Sequence, residues 1–278
     1  MEKAVNVRKS LVKLLWHRIE EDDISGQSAQ LAYFFLLSLF PLLIFIFTLM
    51  PYLQIPYHDI LGSIREFAPP QTMELIEKNV NYVMNNRNGG LLSIGIIGTM
   101  WSASNGIHAL VRAFNKAYNV KESRSFIVSR GMAILLTFGM ILVFIVAVLL
   151  PIFGREIGVF LFSYLGFKSE FLQIWDMLRL VVSALILFLI FTGLYWIAPN
   201  VKIRCRSAFP GAAFATVGWI LSSYALSYYV GNFGNFSLTY GSIGAIIVLL
   251  IWLYISGFII IIGGEINAFY SEKSKTNC

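Results

Sequence analysis

Long apolar runs separated by short polar connections dominate the chain. Crossing a hydrocarbon core of ~30 Å takes ~20 mostly apolar helical residues. Five runs reach that length: Leu31 to Leu53, Met132 to Phe153, Leu178 to Ala198, Ala208 to Val230 and Ile243 to Ile262. A sixth, Leu91 to Leu110, is diluted by Asn105, His108 and several glycines and serines. The pattern predicts an all-α polytopic membrane protein with six transmembrane helices. It forms one domain, with a bundle over 29–270, an amphipathic segment over 1–28 and a tail over 271–278.

Shorter periodic stretches surround these runs. Val7, Leu11, Leu14, Leu15 and Ile19 recur at helical spacing, with Arg8, Lys9, Lys13 and Arg18 around the polar side. Such a basic helix either lies on the membrane or packs as a solvated helix on the protein's own loops. Between the first two runs, Met73, Ile76, Val80, Val83 and Met84 mark an amphipathic helix ended by Gly89-Gly90, a cap on the outer side. Residues Gly154 to Met177 mix apolar patches with Arg155, Glu156, Lys168, Glu170 and Asp176, as expected in the membrane interface.

Composition agrees: 57% of residues are hydrophobic and 13% charged, where an ordinary soluble domain has roughly 25% charged. The distribution of charge adds orientation, because Lys and Arg accumulate on the cytoplasmic side of span ends. Five precede the first run, and the successive segments carry three, five, three, three, none and two. Alternate segments thus hold fifteen on one side and six on the other. Six spans with both termini cytoplasmic fit this division; omitting the weak second run would put basic segments on opposite sides. The N-terminal stretch lacks a continuous apolar h-region and a cleavage site, so it is expected to be retained. Cys205 and Cys278 both fall on the cytoplasmic side, where thiols stay reduced.

Small residues at helical spacing mark close helix packing in lipid. Gly95, Thr99, Ser102, Gly106, Ala109 and Ala113 do so on the second run, and Gly211, Ala215, Gly218, Ser222 and Ala225 on the fifth. Packing within the chain is favoured over a homo-oligomer interface of the same kind. The second run also carries Asn105, His108, Arg112 and Asn115 on one face, with Trp101 one turn above. That stripe either makes interhelical hydrogen bonds or lines a substrate path opening to the cytoplasm. Glu265, in GGEINAF, is the one carboxylate near the end of a strongly apolar run, and an ion pair with Arg112 is expected there. Pro41 predicts a kink in the first helix. The uncharged connection Gly231 to Gly241, with Tyr240, reads as an aromatic belt or an outer gate.

The inventory disfavours catalysis. Three histidines fall in different places, His17 cytoplasmic, His58 external and His108 near the inner end of a span. No metal cluster assembles from them, and the aspartates are scattered, so no metal, cofactor or nucleic-acid partner is expected.

SAQLAYFFLLSLFPLL, WSASNGIHALVRAFNKAY, YWIAPN, FPGAAFATVGW, TYGSIGAIIVLLIWLY and GGEINAF together resemble the YihY/virulence factor BrkB family of bacterial inner-membrane proteins. The resemblance covers nearly the whole chain except the long outer connections and the tail. It implies a six-helix protein of the bacterial plasma membrane and supplies no catalytic site. Some members carry an old label of tRNA-processing ribonuclease BN, generally regarded as a misassignment. Members are more usually described as candidate transporters linked to envelope lipids or similar amphiphiles. The expectation is therefore a transporter or flippase-like protein moving a lipid or other amphiphile along a path lined by the second, fifth and sixth helices. Its alternative is a scaffold or regulator that holds a partner or membrane lipids on its basic face.

Overall fold

A computed structural model of the chain describes residues 17–53, 89–141, 171–232 and 243–276, and all its regular elements there are helical. After a short helical turn over 17–21 come α1 (Ile24–Leu53), α2 (Gly89–Ala117), α3 (Phe126–Ile141), α4 (Phe171–Ile197), α5 (Phe209–Asn232) and α6 (Ile243–Thr276). Each expected run corresponds to one helix. Four stretches among the described residues are long and apolar enough to cross a membrane: Ile24–Phe45, Leu180–Ile197, Cys205–Asn232 and Gly244–Ser271. The described part of α3 is apolar but shorter, and α2 has the length but is too polar.

Several boundaries differ from expectation. The first helix begins at Ile24 rather than Leu31, and the third at Phe126 rather than Met132. α6 continues past Ile262 into residues assigned to the tail. The reason is chemical: its polar residues Glu265 and Asn267 find partners on neighbouring segments and so keep their helical places. Most of the basic N-terminal helix, the outer cap and the connection containing Tyr240 lie outside the described residues.

Local chemistry accounts for the ends. Asp23, at a left-handed φ of 50°, closes the short turn, and its Oδ1 accepts the Gly26 N–H at 3.2 Å, capping α1. α2 stops in a Schellman motif, with Asn119 at φ 53°, the Asn119 N–H on the Lys116 carbonyl and the Val120 N–H on the Asn115 carbonyl, both at 2.9 Å. Before α5, a 3₁₀ turn over Cys205–Ala208 delivers Pro210 into the first helical turn, where a missing N–H costs nothing.

The chain forms two compact units, Phe34–Ala103 and the chain on either side of it. In the first, α1 and α2 approach closely. A Cβ added at Gly95 would lie 2.8 Å from the Phe45 nitrogen, and one at Gly98 would lie 3.1 Å from Pro41 Cβ. α1 remains one helix through Pro41.

In the second unit, α5 and α6 run antiparallel along the small-residue stripe. Gly211 lies against Gly263 and Asn267, and Gly218 against Ile259. Trp219 Nε1 donates to Ser256 Oγ, and Trp252 Nε1 donates to Ser223 Oγ, both at 3.1 Å. The two indoles meet edge to face, 5.7 Å between centroids. Indole and hydroxyl are thus exchanged reciprocally, which satisfies polar groups inside an apolar pair. α4 joins through Tyr195, whose hydroxyl donates to the Ile260 carbonyl at 2.7 Å.

Candidate functional site

The polar residues of α2 are divided among three neighbours. At its upper part, Asn105 Oδ1 accepts from Arg130 Nη1 at 2.9 Å, and His108 Nδ1 lies 3.5 Å from Ser129 Oγ. Both partners belong to the first five residues of α3, so this part of the stripe is a seam between α2 and α3. Of the two expectations for the stripe, these contacts are interhelical hydrogen bonds, and they are made to α3, which the expected path along the second, fifth and sixth helices left out. Arg130 supplies the charge that draws the Asn105 amide towards α3, and α2 meets α6 through Phe114 against Gly264 instead.

One turn lower, Arg112 is exposed and its Nη2 lies 3.4 Å from Gln30 Oε1. It does not pair with Glu265, and that expectation is corrected. Glu265, only 1% exposed, binds Arg18 at 2.9 Å through Nη1, which also donates to the Ala117 carbonyl at 3.0 Å. A carboxylate this buried needs a partner that reaches it, and Arg18 arrives from the chain end while Arg112 points outward. Burial, and then the Glu265 charge, raise the Tyr118 phenol above its ordinary value and keep it protonated. Two residues on, Asn267 Oδ1 accepts the Gly211 N–H at 2.7 Å and satisfies an orphan donor at the start of α5.

At the end of α2, Asn115 bridges two connections. Its Nδ2 donates to Glu122 Oε2 at 2.8 Å, and its Oδ1 accepts the Asn200 N–H at 2.6 Å. Asn200 Nδ2 donates to the Lys121 carbonyl and to Ser123 Oγ at 3.0 and 2.8 Å. Arg124 closes the clamp, donating to the Ala198 and Pro199 carbonyls at 3.0 and 2.7 Å. The connection 118–125 is thereby locked to 198–201.

Of the remaining expected site residues, Trp101 is exposed, Gly106 and Ala215 are buried, and Ser102 and Ser222 are half-buried. Arg18, Arg124, Arg130, Asn200 and Asn267 were not singled out by sequence reasoning. Arg18 entered only as a polar-face residue of the N-terminal helix, Arg124 and Arg130 only as charges to be counted, and the two asparagines only as letters in YWIAPN and GGEINAF. Among the described residues no three His, Cys, Asp or Glu side chains are grouped to hold a metal.

The chain matches the Virulence factor BrkB family over residues 15–277. It is 52% identical over 266 residues to the ribonuclease-like protein YfkH of Bacillus subtilis (strain 168), covering 96% of this chain and 97% of that one. It is 25% identical over 271 residues to the UPF0761 membrane protein NTHI0384 of Haemophilus influenzae (strain 86-028NP), covering 95% and 96%. A UPF0761 membrane protein of Vibrio campbellii (strain ATCC BAA-1116) is 26% identical over 280 residues, covering 98% and 86%. No solved structure matches.

Proposed function

This chain belongs to the virulence factor BrkB family, a family of membrane proteins, and on that premise we propose that it moves a lipid or similar amphiphile across the bacterial plasma membrane. In this reading six helices span the membrane, both termini are cytoplasmic, and the polar headgroup follows the seam between α2 and α3. The seam is the observation that carries it. Arg130, Asn105, His108 and Ser129 put a cation and three polar side chains along one contact between two helices. Ionisable groups between membrane helices are costly and mark solute paths by default. The reading disfavours nuclease activity, because hydrolysis of a phosphodiester by the metal route needs clustered acids.

Translocation by purified protein in sealed vesicles tests the proposal, using a headgroup-labelled lipid quenched from outside. Protein-containing vesicles should lose signal faster than empty ones. Asn105→Ala and Arg130→Gln should slow the loss about tenfold, in line with removal of a charged hydrogen bond of ~1.5 kcal/mol. Rates equal to those of empty vesicles would overturn it.

A further inference from the structure

The two connections that Arg124 and Asn200 lock together carry an unbalanced charge. Lys121, Lys202, Arg204 and Arg206 are exposed, and none of their side chains has an acidic partner among the described residues. The one acid in these connections, Glu122, already accepts from Asn115 and from the Arg124 backbone and lies 3.9 Å from Arg124 Nε, so it offsets one cation and leaves the four exposed ones. Like charges held close on a fixed scaffold repel one another and attract an anion from solution or from a surface.

A cleft of about 560 Å³ opens on this ground, lined by Arg124, Trp196, Pro199, Asn200 and Lys202 among others. That volume lies within the range of small-molecule sites, ~300–1,000 Å³. Its walls are of two kinds. Lys202 is an exposed cation, and the Arg124 guanidinium, held by the Ala198 and Pro199 carbonyls and 3.9 Å from Glu122, adds charge behind it, whereas Trp196 exposes half its surface. At the start of α3, in the segment that follows Arg124, Phe126 and Ile127 are 77% and 81% exposed. A soluble phosphate would require the cations alone. Trp196 and Ile197 in the same lining fit a ligand with an anionic head and hydrocarbon below it, and Trp is the residue most at home at that boundary.

We infer that this cleft binds the phosphate headgroup of an anionic membrane lipid, between Lys202 and Arg124, with Trp196 against the upper part of its acyl chains. The inference needs the membrane setting but not translocation. A lipid bound here would hold the α2–α3 and α4–α5 connections together, whatever else the chain does.

The test uses the full chain in neutral detergent, titrated separately with phosphatidylglycerol, with phosphatidylcholine of the same acyl chains and with inorganic phosphate, bound lipid being counted by native mass spectrometry. Phosphatidylglycerol should bind at least about fivefold tighter than phosphatidylcholine, and Lys202→Gln should weaken it about fivefold, the usual effect of one cation at an anionic surface. Trp196→Leu should weaken both lipids. Equal binding of the two lipids, or no response to Lys202→Gln, would overturn the site. Inorganic phosphate binding as tightly as phosphatidylglycerol would overturn the assignment to lipid. Because no step measures transport, failure here leaves the translocation proposal standing, and the reverse also holds.

Discussion

The guanidinium of Arg18 stands 2.9 Å from the buried carboxylate of Glu265, joining the start of the described chain to α6 near its end. The same nitrogen reaches the last carbonyl of α2 at Ala117. Three segments distant in sequence therefore meet at one charge pair.

Arg18→Ala leaves the Glu265 carboxylate buried without its cation and should cost roughly 3 kcal/mol. Glu265→Gln keeps an acceptor for a cation that can still reach water, and should cost about 1 kcal/mol. Thermal unfolding in detergent should rank them in that order. Equal midpoints for Arg18→Ala and wild type would contradict the pairing.

How far the sequence led is visible in these same residues. Among the described residues hydropathy located α1 and α3 to α6, because they are written directly in apolar runs, and the charge count asked for α2 despite its polarity. GGEINAF was recognised as a polar end to an apolar helix, yet its partner was misassigned. Sequence spacing puts Arg112 at a similar depth to Glu265 but is silent on its direction around α2. Arg18 reaches Glu265 only because Asp23 turns the chain at a left-handed φ, a tertiary fact without periodic signature. Arg130 escaped notice for a similar reason: nothing in the residues around it announces that Asn105 lies opposite.

The antiparallel α5–α6 contact predicts unequal glycines. A methyl at Gly211 would run into the Gly263 carbonyl and the Asn267 amide, which are backbone and a fixed cap. Gly211→Ala should therefore cost roughly 3 kcal/mol through overpacking. At Gly218 the obstacle is an Ile259 methyl at 3.1 Å, which has to give by only a few tenths of an ångström, and the gain of ~1 kcal/mol in helix propensity offsets the crowding. Melting curves should separate the two clearly; a Gly218→Ala variant as unstable as Gly211→Ala would speak against this register.

The reciprocal Trp–Ser exchange predicts selective coupling. In double-mutant cycles, Trp252→Phe with Ser223→Ala should show about 1 kcal/mol of interaction, and likewise Trp219→Phe with Ser256→Ala. Cross-pairing Trp252→Phe with Ser256→Ala should be close to additive. Coupling of equal size in all combinations would mean that packing, and not the hydrogen bonds, joins the helices.

Cys205 offers a native probe of orientation, since it is exposed in the connection between α4 and α5. With Cys278 changed to Ser, a membrane-impermeant maleimide should leave Cys205 unlabelled in intact cells and label it in inside-out vesicles. Labelling of intact cells would reverse the proposed topology.

The central claim is that the amphiphile's headgroup passes between α2 and α3, and sealing that seam tests it most directly. With both native cysteines replaced by Ser, His108→Cys and Ser129→Cys put two thiols on facing positions of α2 and α3, whose present side chains approach to 3.5 Å. In sealed vesicles, oxidation should stop lipid translocation and reductant should restore it. Complete cross-linking with an unchanged translocation rate would contradict the account.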